Sequence, residues 1–238
     1  MTDVASLWSY LATTPLIWLT TTIIAYLFAD GVARHLGNPP WANPVLLSVL
    51  IIAPVLWITQ TDYTTYFEGA QFIHFLLGPA TVALALPLWD NRDTIRTSVA
   101  PIVLALLTGS VVAAGSAIVL ARAFGLPMDV LLSLAPKSTT APVALGVSEA
   151  IGGIPALTAV LVIVTGIIGA VTVTPLMNLL RITDWRARGF AVGVAAHGIG
   201  TARAFQVSPV AGAYAGIAMA LNALLTSLIV PPLVRWLV

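Results

Sequence analysis

Long apolar runs alternate with short charged intervals along the whole chain. Between Asp3 and Asp30 lie 26 residues without Asp, Glu, Lys or Arg, and between Arg34 and Asp62 lie 27, broken only by His35. Residues 69–89 give 21, residues 97–121 give 25, and residues 150–180 and 204–234 give 31 each. A helix needs about 20 apolar residues to cross hydrocarbon, so these six runs predict six long transmembrane helices. A membrane β-barrel would instead show short alternating segments. Two further runs are too short to span: 138–148 has 11 residues and 189–202 has 14. Such lengths predict broken or re-entrant half-helices. Non-helical backbone at membrane depth is tolerated only inside protein or beside a wet cavity, so these stretches are where function is expected.

The first stretch runs Leu134-Ala135-Pro136-Lys137-Ser138-Thr139-Thr140-Ala141-Pro142-Val143-Ala144. Pro136 stops a helix; Ser138, Thr139 and Thr140 suit an N-cap, and Pro142 suits a first turn. The new helix is expected to reach about Ala150 and end at Gly152-Gly153. Its N-terminus would lie beside the Lys137 ammonium, which makes an anion site. The plainer alternative is a lysine that snorkels to the interface. In the second stretch, Gly198 and Gly200 are expected to break the helix, with Thr201 capping a new one and Arg203 in its first turn. An arginine in an apolar tract is a functional candidate, because its guanidinium forks onto a carboxylate. His197 is either a proton carrier or a packing donor. Glu149 is either a coupling acid or a loop carboxylate.

Composition narrows the class. Charged residues are 8% and apolar residues 59%, so a soluble enzyme and a disordered chain are excluded. A net charge of +1 offers no field for nucleic acid. There is no cysteine, and no cofactor or metal site is suggested. Neither an HExxH motif nor a GxSxG elbow is present, so no enzyme is expected. The N-terminus has no basic region before its apolar run and reads as neither signal nor transit peptide. Arg34, Arg92, Arg96, Arg181, Arg186 and Arg188 are expected to share the inner side, which puts the N-terminus outside. Gln71, Asn178 and Asn222 read as interhelical hydrogen-bonders, and Gly189-x3-Gly193 and Gly212-x3-Gly216 as close-packing or dimer faces. His35 reads as interfacial, and His74 lies within the third run.

Short matches recur at offsets of 57 and 61: Ala80–Ala85 with Ala141–Gly146, and Thr174-Pro175-Leu176 with Pro231-Pro232-Leu233. The expected fold is therefore an all-α polytopic membrane protein, one integral domain over 1–238, with candidate repeat units 78–124, 135–182 and 196–238. Each unit would be a broken helix followed by a long span, as transporters are often built. Gly78 and Pro79 would break the first.

Pro136-Lys137-Ser138-Thr139-Thr140-Ala141-Pro142, Ser148-Glu149-Ala150-Ile151-Gly152-Gly153 and His197-Gly198-Ile199-Gly200-Thr201-Ala202-Arg203 resemble the LrgB/CidB family, and Gly78–Ala85 resembles its first broken segment. The resemblance covers nearly the whole chain. It implies an integral inner-membrane protein. Bacterial members are described as antiholin-like modulators of murein hydrolase export and lysis, acting with a small holin-like partner. A plant relative translocates glycolate and glycerate, and some bacterial members are linked to pyruvate uptake. No residue roles carry over.

Two functions follow as expectations. One is a secondary transporter of small monocarboxylates, coupled to protons or sodium. Lys137, Ser138, Thr139, Thr140, Thr201 and Arg203 would bind the substrate, and His197 and Glu149 would couple it. The other is an antiholin-like regulator or pore. A pore wants polar rings along its helices, and this sequence has broken helices instead. A homodimer is expected from the glycine faces.

Overall fold

The computed structural model describes residues 15–39, 41–76, 79, 82, 86, 89 and 92–237. Gly78, Asn91 and the side chain of His74 lie outside the described residues, as do both chain neighbours of Pro79, whose own backbone is helical. Among the described residues there is no strand. The helices are α1 (Pro15–His35), α2 (Pro44–Ile58), α3 (Tyr63–Phe75), α4 (Arg92–Thr97), α5 (Val99–Ala123), α6 (Met128–Leu134), α7 (Ala141–Ile151), α8 (Pro155–Leu179), α9 (Trp185–Val207) and α10 (Pro209–Leu237). Four of them are long and apolar enough to cross a membrane: α1, α5, α8 and α10. The fold is an all-α polytopic one. Of the six runs expected to span, the second holds the shorter apolar α2, and the third has nine of its 21 residues outside the described ones.

Prolines start the elements. α1, α2, α8 and α10 each open on one, where a missing N–H costs nothing. Asn43 caps α2, its Oδ1 accepting from the amides of Val45 and Leu46. Gly152 closes α7 at φ 87, a left-handed position that only glycine takes without strain.

The chain divides into two compact units, Met1–Val82 and Ala83–Val238. In the first, α2 and α3 pack on α1. Trp18 is fully buried there, edge-on to Tyr66, whose hydroxyl meets Thr22. Asp30 and Arg34 pair on the surface of α1.

The second unit is built on three long helices. Ser110 bonds Asn222 and Arg122 bonds the Leu237 carbonyl, so α5 and α10 run in the same direction. α8 runs the opposite way. Its Thr158 hydroxyl donates to the Ser133 carbonyl and to Ser148, while its far end, at Met177, meets Trp185 and Arg188. Ser98 and Pro101, just after Arg96, line one groove with Asp184 and Arg186. The Arg92–Arg96 and Arg181–Arg188 clusters therefore occupy one end of this unit, called the arginine end below.

Two helical hairpins fill the space between these helices. α6 descends from the opposite end, its Leu131 and Leu132 packing with Ile118 and Ala121, and Ala135 with Ala114. The chain turns at Pro136–Thr140, and α7 climbs back so that Val147 joins Val230 and Val234. The second hairpin lies within α9. Ala196 (φ −130, ψ 17) and His197 (φ 41, ψ −136) are non-helical, and they split α9 into two arms. The first arm rises beside α10, with Gly189 against Ala211 and Gly193 against Ala215. The second arm returns, so that Arg203, Ala204 and Val207 share a crevice with Trp185, Arg188 and Gly189. The first arm spans residues 185–195, about 16 Å at 1.5 Å per residue, roughly half the hydrocarbon thickness. Each hairpin thus returns to the end it came from, and the two enter from opposite ends. Each is followed by a long helix, α8 or α10.

Candidate functional site

The two hairpin tips meet at Asn222 of α10. This side chain is 2% exposed. Its amide nitrogen donates to the Ser138 carbonyl of the first tip at 3.3 Å and to the Val194 carbonyl beside the second at 3.2 Å. Its Oδ1 accepts from Ser110 of α5 at 2.5 Å and from Thr226 at 3.4 Å. One amide therefore ties together both tips, α5 and α10 in the middle of the unit.

The first tip is short of hydrogen bonds. Thr140 stands at the N-cap of α7 in extended conformation, yet its hydroxyl makes no capping bond. The hydroxyls of Thr139 and Thr140 are buried and without a partner, the residues being 1% and 8% exposed. Buried polar groups are nearly always satisfied, so two orphans side by side single this tip out as a candidate binding place. Lys137 is partly buried, and its ammonium donates to the Ser138 hydroxyl at 3.2 Å. Pro136 follows the end of α6, and Pro142 sits in the first turn of α7. The tip thus joins a cation, free hydroxyls and the N-terminus of an 11-residue helix.

The second tip is held by α8. His197 Nε2 donates to the Val162 carbonyl at 2.8 Å, which leaves the proton on Nε2. Its φ of 41 is strained for a residue with a Cβ. Gly166 and Gly169 make room for it: a Cβ on them would lie 2.6 Å from His197 Cε1 and 2.3 Å from Ala196 Cβ.

The LrgB-like family model matches residues 22–236, which include both hairpins. The chain belongs to that family. The Staphylococcus aureus holin-like protein CidB is 34% identical over 92% of this chain and 95% of its own. The uncharacterized Bacillus subtilis proteins YxaC and YwbG are 35% and 33% identical, each over 93% of this chain and 96% and 98% of their own. The Staphylococcus epidermidis CidB is 32% identical over 92% of this chain and 95% of its own. No solved structure matches.

The tips of this LrgB-like chain hold only part of the expected set. Lys137, Ser138, Thr139, Thr140 and His197 come together. Thr201 stands one turn beyond the break, but it caps nothing: its hydroxyl turns back to the His197 carbonyl at 2.8 Å. Gly198 and Gly200 do not make the break; they lie in the first turn of the returning arm, after Ala196–His197. Arg203 does not reach the tips. It lies in the crevice near the arginine end and bonds Gln206 at 3.3 Å. Glu149 is exposed near the far end of α7, about 12 Å along the helix from its N-terminus.

Sequence reasoning passed over the importance of Asn222 and Ser110. Asn222 is indeed an interhelical hydrogen-bonder, and what it bonds is the centre of the unit. The available signal was an asparagine midway along a 31-residue run without charge. A groove of about 610 Å³ leads towards this centre. It starts at Ser98, Asp184 and Arg186 and runs between α5 and α9 to Ala113, Val194 and Ala195.

Proposed function

We propose that this LrgB-like protein is a secondary transporter of small monocarboxylates, with the hairpin tips as its substrate site. One observation carries the reading. At mid-depth the buried hydroxyls of Thr139 and Thr140 have no partner, and they sit beside Lys137 at the N-terminus of α7. A carboxylate oxygen accepts from an ammonium, from free N–H groups and from hydroxyls, so an anion satisfies all of them together. Two hairpins entering from opposite ends suit alternating access, because either one can part from the centre while the other stays. The groove from the arginine end supports access on that side. Glycolate, glycerate and pyruvate are the substrates to test.

The test is uptake of labelled carboxylates into proteoliposomes. Wild-type protein accumulates at least one of them, and Lys137→Ala and Thr140→Val each reduce uptake by about tenfold or more, the worth of one charge-assisted hydrogen bond. Normal uptake by both variants moves the site elsewhere. The staphylococcal relatives are named holin-like, which favours a second reading: a lysis-related membrane protein, here an antiholin-like regulator of murein hydrolase export working with a small holin-like membrane protein. Leakage of a trapped dye without carboxylate uptake selects that reading. A homodimer belongs to either, and a monomeric mass in nanodiscs excludes it.

A further inference from the structure

We infer that the small cavity behind the first tip is a sodium site. It lies among Ser110, Ala113, Ala114, Ala135, Pro136, Ser138, Thr139, Asn222 and Thr226, and its volume is about 10 Å³. That is room for one water-sized sphere. Five of the lining residues carry side-chain oxygens: Ser110, Ser138, Thr139, Asn222 and Thr226. Three of these oxygens are already gathered, since Ser110 Oγ and Thr226 Oγ1 both converge on Asn222 Oδ1. Thr139 comes from the opposite wall, 1% exposed, with its hydroxyl unpartnered.

The chemistry of this set selects the occupant. Every side-chain ligand is a neutral hard oxygen. A calcium or magnesium site recruits carboxylates, and none is present among the described lining residues. Transition metals want imidazole or thiolate, which are equally missing from this lining. A dehydrated sodium ion is smaller than a water molecule and is satisfied by neutral hydroxyl and amide oxygens. Potassium is about the size of a water molecule and takes a larger shell of oxygens than the five side chains here offer, whereas sodium is satisfied by fewer oxygens drawn closer. Ala113 lines both this cavity and the deep end of the groove, which gives an ion a way in from the arginine end.

The role of the ion in coupling rests on the transport reading above. Lys137 does not line the cavity, but it is next to Ser138, and its charge opposes a second cation nearby. A carboxylate at the tip offsets both charges. Ion and substrate then favour each other's binding, and the effect is reciprocal. Thr139 and Ser138 belong to the mobile partner in this scheme and Asn222 to the fixed one, so an ion between them closes the first hairpin.

The experiment is equilibrium binding of radioactive sodium to the purified full-length protein in nanodiscs, with no carboxylate added. Expected is saturable binding, displaced by sodium chloride and left in place by potassium or choline chloride at equal concentration. Thr139→Val, which removes one oxygen at nearly constant volume, weakens sodium binding by about tenfold or more, and Thr139→Ser restores it. Thr226→Val repeats the test from the other wall if the first variant does not fold. No saturable binding by the wild type, displacement by potassium as readily as by sodium, or unchanged affinity in a folded Thr139→Val protein overturns the site, and the cavity then holds water. Because no substrate is present, missing sodium binding with intact carboxylate uptake removes the ion site alone. Sodium binding without uptake removes the transport reading alone.

Discussion

Asn222→Leu is the most informative single substitution. Leucine keeps the size and branching of asparagine and removes its polar atoms. The change deletes two donated bonds, at 3.3 and 3.2 Å, and two accepted ones, at 2.5 and 3.4 Å. Interhelical bonds inside membranes average about 0.6 kcal/mol and reach about 1.7. The donated pair is long by ordinary standards, so each merits the lower figure. Against that, the substitution takes a partner from two carbonyls at the hairpin tips and from the Ser110 hydroxyl, and a stranded buried group costs about 1–3 kcal/mol. Together these give about 2–4 kcal/mol of lost stability. The assay is unfolding in mixed micelles with increasing sodium dodecyl sulfate, followed by tryptophan fluorescence. Asn222→Asp is the control: it retains an acceptor for Ser110 and Thr226 but loses the donor to both tips. Pairing Asn222→Leu with Ser110→Ala in a double-mutant cycle isolates their bond, and a coupling above about 0.5 kcal/mol is expected for residues in contact. A loss below about 0.5 kcal/mol for Asn222→Leu would falsify the claim that this amide holds the two tips together.

Three further outcomes follow from the geometry. Gly193→Ala puts a Cβ 2.2 Å from the Ala215 carbonyl oxygen and pushes α9 off α10, costing about 1–3 kcal/mol, whereas Gly198→Ala meets nothing nearer than Met219 sulfur at 3.8 Å and leaves the unfolding midpoint unchanged or raised; equal effects would refute the packing. His197→Gly and His197→Ala both lose the bond to Val162, but only glycine relaxes a φ of 41, so the glycine variant is the more stable by about 1 kcal/mol in the same assay, and a more stable alanine variant contradicts the strain. Asp184 caps α9, and the Arg186 side chain and amide hold its carboxyl below the ordinary carboxylate range. A lowered folded pKa contributes stability above the unfolded value and loses it as pH falls, so amide exchange at the start of α9 should quicken below about pH 4. Asp184→Asn should abolish that pH dependence, and an unchanged profile would remove Asp184 as its source.

The first tip was legible because its signals are local. Pro136 ends one helix, Thr140 and Pro142 begin the next, and Gly152 closes it; each acts through its own backbone angles or missing N–H. Spacing of charges likewise gave α5, α8 and α10, since a lipid-facing charge is costly in hydrocarbon whichever helix carries it. What could not be read is depth. Sequence separation says nothing of whether an arm continues across or turns back, and Arg203 illustrates it. Its neighbours in the crevice, Trp185 and Arg188, precede it by more than a dozen residues.

The second tip escaped for a further reason: its break is a tertiary property. Gly198 and Gly200 offered the cheapest local place to leave the helix. The chain leaves it earlier, at Ala196–His197, and accepts a positive φ on histidine. The balance is decided from α8. Gly166 and Gly169 open a space that a Cβ would fill, and the Val162 carbonyl takes the imidazole proton. Gly200 is meanwhile needed in the returning arm, where a Cβ would lie 2.7 Å from Ala196 and 2.8 Å from Val192. Its small size serves the contact between the two arms, not the turn. Moving the break earlier puts Arg203 in the second turn of the returning arm, about 8 Å along its axis from Gly198, and so towards the arginine end. A local misplacement of a few residues thus carried a guanidinium from the mouth of a crevice into a binding site. The residues that correct it, Val162, Gly166 and Gly169, lie some thirty positions away in an unremarkable apolar run.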